Sequence, residues 1–364
     1  MPAAVGLIGA GEIAGQYLDT FDRIPELTVA AIADLDWARA QSLAAAHGAE
    51  AVSVAELLAD ERTEIVLNLT VPAAHAEVSA RVLASDKHLW TEKPLSISLS
   101  EAEAILAQAE RAGLRIGAAP DTFLACGLQT AIDAARSGRI GQVFGATALW
   151  GAAGHELWHP SPEFYYQLGG GPVLDMGPYY VTALVQLLGP VARVQAQTLT
   201  TGRRRFTRSG SPIAVAVPTA GTAILEHVGG GLSNVSFSFE TWGRGNDSFF
   251  EAYGTEGSLR LPDPNRFDGI GLVYEANGVR TCEEEAQRQW RPLVETAGFR
   301  HGGRGVGVLE LSDAVRQGRP HRADGHLALH VLEVLTAINR GGGTIATTVE
   351  VAPVLALRDL PPPA

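Results

Sequence analysis

No apolar run in this chain reaches the roughly 18 residues that a membrane span requires, and no basic segment followed by an apolar stretch opens the sequence. A cytoplasmic, soluble protein with no membrane partner is the expectation. Cysteine is scarce: Cys126 and Cys282 are the only two, with no C-x-x-C pair and no zinc-like spacing. They decide nothing about a disulfide but fit a reducing compartment. Basic charge is short as well. The 28 Lys and Arg stand against 40 Asp and Glu, a formal net charge of −12, so no nucleic-acid partner is expected. The one basic cluster, Arg203-Arg204-Arg205 with Arg208 close by, reads as a solvated loop. Internal repeats are absent from the sequence, and low complexity is confined to the Pro-rich tail, residues 361–363.

What is present is an ordinary globular composition, 46% hydrophobic and 19% charged, in 364 residues, more than one core usually covers. Two domains follow, 1–122 and 123–364. The first opens on a buried-strand pattern, Val5-Gly6-Leu7-Ile8, and at once Gly9-Ala10-Gly11-Glu12-Ile13-Ala14. This is G-x-G-x-x-A between strand and helix, the context that gives it meaning. Gly9 permits the tight turn, Gly11 the approach of a pyrophosphate, and Ala14 close helix–strand packing. The backbone N–H groups around Glu12 and Ile13 then face the phosphates at a helix N-terminus, with the Glu12 side chain turned to solvent. A second strand, 28–33, ends at Asp34, 20 residues after Ala14. A carboxylate there takes the ribose hydroxyls and repels a 2′-phosphate, so NAD is expected over NADP.

The alternation continues. Ser53 to Glu56 is a capping box, 65–69 is a strand, and Thr70-Val71-Pro72 leads into a helix through His75. Thr70 and His75 are candidates for the cofactor crevice. The strand ending at Trp90 delivers Thr91-Glu92-Lys93-Pro94, with Glu92 and Lys93 at a strand's carboxyl tip, where ligands of open α/β sheets bind. Proline restricts the residue before it to extended backbone, so Lys93 is aimed. Ser100 to Glu103 reads as a further capping box and Gly113 as a helix stop. Strands alternating with helices to about residue 120 give a doubly wound parallel sheet. Beyond it, strand-like runs at 143–150, 191–199, 213–227, 232–240 and 249–253, joined mostly by turns, argue a large mixed, mostly antiparallel sheet. Helices are expected at 304–317 and 325–339. On the second, His326 and His330 stand i, i+4 with no third ligand patterned beside them, which reads as packing, and no metal is expected.

Two later segments read as chemistry. The stretch His155-Glu156-Leu157-Trp158-His159, then Tyr165, joins aromatic rings to hydrogen-bonding groups, which suits the faces and hydroxyls of a sugar or polyol. The stretch Gly169 to Tyr180 runs into an apolar helix. If helical from Pro172, it sets Asp175 and Tyr179 on one face, i and i+4, with Pro178 marking a kink or restart.

Taken together, the G-x-G-x-x-A turn, Glu92-Lys93-Pro94, the glycine-rich helix bearing Asp175 and Gly254-Thr255-Glu256-Gly257 resemble the glucose–fructose oxidoreductase/inositol dehydrogenase/rhizopine-catabolism (Gfo/Idh/MocA) family over nearly the whole chain. The resemblance implies a Rossmann domain, then an α/β domain whose open mixed sheet often makes a homodimer or homotetramer. It also implies NAD(P)-dependent redox at a hydroxyl- or keto-bearing carbon of a sugar or polyol. By position Lys93 matches the family lysine and Asp175 the family aspartate. Tyr179 falls where most members have a proton-relaying histidine, and Thr182 where many carry a further aspartate; some sugar ketoreductases of the family use tyrosine in the former place. The expected roles are Lys93 stabilising the alkoxide, Tyr179 moving the proton and Asp175 orienting Lys93, with Lys93, Asp175 and Tyr179 also touching substrate. Two alternatives carry other chemistry: an NAD-using glycosidase or epimerase with transient redox, and a non-catalytic NAD-binding regulator.

Overall fold

Short apolar runs separated by amphipathic stretches build the first sheet of the computed structural model, which describes residues 2–243, 248–296, 298–299 and 302–348. The Pro-rich stretch 361–363 lies outside them, as does the end of the expected second domain. In chain order come β1 (Ala3–Ile8), α1 (Glu12–Phe21), β2 (Leu27–Ala33), α2 (Trp37–His47), β3 (Glu50–Ala51), α3 (Val54–Ala59), β4 (Ile65–Asn68), α4 (His75–Leu83), β5 (His88–Thr91), α5 (Leu99–Ala112) and β6 (Ile116–Ala118). The strands lie in the order β3-β2-β1-β4-β5-β6, each adjacent pair parallel. Strand order reverses beside β1, which is where such sheets open a ligand crevice at their carboxyl ends. Leu7, Ile32, Leu67 and Leu89 are fully buried, as strands covered on both faces require.

The capping box read at Ser53 and Glu56 closes on α3, and Asp36 caps α2 by accepting the Arg39 N–H. The box expected at Ser100 does not form. α5 begins at Leu99 after Ser98, without a side-chain cap, and the Ser96 hydroxyl donates to Glu101 at 2.8 Å instead.

The second sheet follows α6 (Cys126–Arg136). It takes in β7 (Val143–Gly151) and, after α7 (Gly171–Leu188), β8 (Val191–Leu199); β9 (Arg205–Phe206) and β10 (Pro212–Ile213) pair separately. Then come β11 (Ala220–His227), β12 (Leu232–Ser238), β13 (Ser248–Gly254), β14 (Gly257–Arg260), β15 (Leu272–Glu275), α8 (Cys282–Ala286) and β16 (Arg291–Pro292). The chain ends its described course in α9 (Val306–Gln317), α10 (Gly325–Arg340) and β17 (Gly343–Ala346). The nine strands run β16-β15-β14-β13-β7-β12-β11-β8-β17. Only β7 and β12 are parallel; the other neighbours are antiparallel. α7 packs on β7, β11 and β12, and its Val173, Val181, Leu184 and Val185 are fully buried.

The run 213–227 is not one strand. Pro218 has no N–H to give a ladder, and the Ala216 N–H is spent on the Tyr166 carbonyl at 2.8 Å. Two compact units result: Met1–Thr122 with His301–Leu329, and Phe123–Arg300 with His330–Ala364. The segment carrying α9 thus returns to the first unit, which a cut at 122 leaves out. Among the described residues no helix is long and apolar enough to cross a membrane.

Candidate active site

In the first unit the carboxyl ends of β1 and β2 form a cradle. Gly9 sits at φ +106°, and a Cβ there would come within 2.6 Å of the Leu69 carbonyl oxygen, so only glycine makes this turn. α1 then opens at Gly11 with no side-chain cap, and a Cβ on Gly11 would meet nothing within 4 Å. Ala14 is fully buried against the sheet, while Glu12 is exposed. Asp34 accepts the Ala10 N–H at 2.6 Å with one carboxylate oxygen and the Asp36 N–H at 2.7 Å with the other. Uncapped helical N–H groups, open space over Gly11 and a fixed carboxylate fit a dinucleotide's phosphates and ribose.

Three residues expected at the cofactor make side-chain hydrogen bonds within the protein, and two of them, His75 and Glu92, are buried. His75 is fully buried, its Nδ1 2.6 Å from the Pro94 carbonyl and its Nε2 3.0 Å from that of Thr70. Its ring ties the loops after β4 and β5 together. Burial holds its pKa below the ordinary histidine value. Thr70 donates its hydroxyl to Asn68 Oδ1 at 2.6 Å. Glu92 accepts the Tyr17 hydroxyl at 2.8 Å and the Lys93 N–H at 3.0 Å, and the Trp90 indole N–H donates to that same Tyr17 oxygen at 3.0 Å. The carboxylate is therefore a buried prop under half-buried Lys93, with both oxygens on protein donors. Nothing in the α1 sequence marks Tyr17, a buried aromatic on an amphipathic helix. Asp121, also unforeseen, accepts the N–H groups of Gly305 and Gly307 at 2.7 and 3.0 Å, and burial pushes its pKa up to about 6.

In the second unit α7 runs through Pro178 as one helix, so Asp175 and Tyr179 do share a face; the kink or restart expected at Pro178 does not break the element. Tyr179 is 5% exposed, and the Asp175 side chain 12%. Neighbouring Tyr180 is committed elsewhere, donating its hydroxyl to Asp263 at 3.0 Å. Thr182 is buried. His155 Nε2 lies 2.8 Å from Asp175 Oδ2, and the Trp158 indole N–H donates to His155 Nδ1 at 3.0 Å. Trp158 is 48% exposed, and its ring stands edge-on to that of His159, centroids 5.3 Å apart. Tyr165 is half-buried beside them.

His155 and Glu156, expected to touch substrate, are buried with their polar atoms turned to protein. Glu156 accepts from Arg203 at 3.0 Å, from Arg205 at 2.8 Å and from the Tyr166 hydroxyl. Arg203 and Arg205 are therefore not part of a solvated loop, while Arg204 and Arg208 of the same cluster are exposed. Arg205 is 0% exposed in its side chain and also donates to Glu240 at 2.7 Å and to the Phe239 carbonyl at 3.0 Å. Arg203 stacks its guanidinium on Trp242, 4.4 Å from the ring centre. A two-residue period through 203 and 205 was the available signal. Gly154, at φ +113°, belongs to this knot, because a Cβ there would come within 2.2 Å of Arg205.

Comparison with known proteins bears on both units. The family model of the NAD-binding Rossmann-fold oxidoreductase family (GFO/IDH/MocA) matches residues 3–119, and that of the GFO/IDH/MocA C-terminal domain matches residues 128–260. The chain is 30% identical over 262 residues to dTDP-3,4-didehydro-2,6-dideoxy-alpha-D-glucose 3-reductase of Streptomyces antibioticus, covering 70% of this chain and 74% of that one. It is 27% identical to 1,5-anhydro-D-fructose reductase of Ensifer adhaerens, over 80% of this chain and 85% of the relative. A solved levoglucosan dehydrogenase in complex with NADH and L-sorbose shares the fold, with a TM-score of 0.82 at 19% identity, over 95% of this chain and 99% of the other.

Proposed function

The chain belongs to the Gfo/Idh/MocA oxidoreductase family, and from that premise we propose that it moves a hydride between NAD and a hydroxyl- or keto-bearing carbon of a sugar, glycoside or polyol. The observation that carries the reading is Asp175 and Tyr179 one turn apart on α7, with half-exposed Trp158 bonded to the histidine that holds Asp175. Support also comes from the relatives, two of which are named as reductases of sugars.

When bound, the nicotinamide supplies or accepts the hydride. Gly9, Gly11, Glu12 and Ile13 hold the pyrophosphate through backbone, and Asp34 holds the ribose. Lys93 stabilises the oxyanion that develops as the carbon–oxygen bond changes order. Its backbone is braced by Glu92, so the ammonium works from a fixed base. Tyr179 takes or returns the hydroxyl proton, the work most of the family gives to histidine. Asp175 keeps a negative charge on the same helix face and orients the reacting groups. Trp158, His159 and Tyr165 offer ring faces to the sugar. The exposed face of the nine-stranded sheet, where Gln195, Ile224 and Asn234 stand in register, is the surface for a second copy, and light scattering on the purified chain reads whether a second copy is bound at all.

The test is a panel of aldoses, pyranosides and polyols with NAD, followed at the NADH absorbance. Net NADH on one or a few sugars supports the proposal. Product without net NADH points to hydrolysis or epimerisation with transient redox, and NAD binding without any turnover to a regulator.

A further inference from the structure

His155 occupies an apolar cage. Its ring centre lies 4.5 Å from that of Tyr165, 4.6 Å from Phe239, 5.1 Å from Trp158 and 5.8 Å from Trp150, and the residue is 5% exposed. Inside that cage each ring nitrogen has one polar neighbour, the indole N–H on Nδ1 and the Asp175 carboxylate on Nε2. An indole nitrogen can only donate, and an ionised carboxylate can only accept. Nδ1 therefore accepts and the ring proton sits on Nε2, pointing at Asp175.

We propose that His155 is a positioning residue for Asp175, held in a single tautomer by the indole N–H of Trp158. This rests on the function proposed above, in which Asp175 is part of the reacting group, and it changes the part expected of His155 from touching sugar to steering the residue that does. The three groups form a one-way chain of donors, Trp158 to His155 to Asp175. Its end holds one carboxylate oxygen, Oδ2, in place. Four flanking rings leave the imidazole no room to swing, so the carboxylate inherits the rigidity of the cage. Outer partners of this kind commonly set the orientation and tautomer of the group that does the chemistry, and a misplacement of about 1 Å can cost roughly 10²-fold in rate.

Two readouts on the full-length chain test this. The first needs no turnover: long-range ¹H–¹⁵N spectra of the histidine rings, with His155 assigned by its loss in His155→Gln. The expected spectrum is a single Nε2–H tautomer whose Nε2 proton shifts in Asp175→Asn and whose Nδ1 resonance shifts in Trp158→Phe. An Nδ1–H ring, or indifference to Asp175→Asn, overturns the proposal. The second is kinetic. His155→Phe keeps a ring in the cage and removes the donor, so kcat should fall roughly 10–100-fold with KM changing far less. His155→Gln, whose amide can still donate, should recover part of it. On an Asp175→Asn background, His155→Phe should cost almost nothing further, because both act through one carboxylate. Additive losses, or a loss that simply follows a lowered melting temperature, assign His155 a packing role and sink the idea. If the wild type turns over no sugar, the function proposed above falls, and the spectra alone decide the tautomer lock.

Discussion

At Asp34 both carboxylate oxygens already accept backbone N–H groups, from Ala10 at 2.6 Å and Asp36 at 2.7 Å. The charge cannot swing aside for a 2′-phosphate, and an anion facing it in a partly desolvated cradle suffers like-charge repulsion. NAD should therefore bind tighter than NADP, and Asp34→Ser should narrow the gap from both sides. Equal dissociation constants for the two cofactors on the wild type would remove Asp34 from the ribose. Tyr179 gives a second residue-level prediction: Tyr179→Phe keeps the buried ring and deletes the proton, so kcat should drop roughly 10²–10⁴-fold with little change in NAD affinity. Near-full activity would move the relay elsewhere. Tyr180 is a poor substitute, because its hydroxyl is spent on Asp263. The places of these residues in the fold were legible because each sits at a fixed offset from a local signal, Asp34 from the glycine turn and Tyr179 from Asp175 along one helix. What a side chain does across space was not. Glu92, His75, His155 and Glu156 were all read as ligand groups from chain position, and all four turn their polar atoms into the protein.

The loop from Ala152 to Gly170 is the element on which substrate choice is proposed to rest, and backbone hydrogen bonds at Ala152 and Tyr166 and a knot of buried charge at Glu156 both hold it. Glu156 and Glu240 are paired with Arg203 and Arg205, and the Tyr166 hydroxyl donates into the same knot. Burial, and then the bond to Glu156, hold that hydroxyl's pKa well above the ordinary tyrosine value. Such a knot is weak evidence of net stability, but removing one partner leaves buried charge uncompensated. Arg205→Met should cost about 3 kcal/mol, read as a lower melting temperature, and should raise KM for the sugar while leaving NAD affinity in place. Unchanged melting would mean that Arg203 alone neutralises both glutamates. At this scale the first sheet was readable, since strands buried on both faces show as unbroken apolar runs. The second was readable only in its central strands. β15, β16 and β17 are two to four residues long, too short for an alternation to register. β11 was overrun at its start because Ala214 to Val217 have strand-like composition and a different job.

At the scale of the whole molecule a recurring electrostatic feature is histidine kept neutral by burial, at five positions among the described residues. Burial lowers the pKa of His75, His88, His227, His321 and His330, and His330 is pushed down to about 4. The Val191 N–H donates to its Nε2 at 3.0 Å, so protonation there would break a backbone bond inside the core. The sign follows from proton counting. Above about pH 6.5 neither the folded nor the unfolded imidazole is charged, and the group adds no pH dependence. Between pH 6.5 and about 4 the unfolded chain binds the proton and the folded one does not, so stability falls as pH falls. For His330 alone that amounts to about 3 kcal/mol across the window. Asp121 works the other way. With its pKa raised to about 6, the folded state holds a proton that the unfolded one has released, and acidification from pH 6 downward favours folding through that group. The net curve mixes both, so the histidine contribution is best isolated by substitution. His330→Gln can still accept the Val191 N–H through its amide oxygen but cannot take up the proton. Its melting temperature should sit at or below wild type at pH 7.5 and lose distinctly less on going to pH 5. Parallel losses in the two proteins would show that His330 takes up its proton in the folded chain as readily as in the unfolded one, or that acid first opens a region that does not include it.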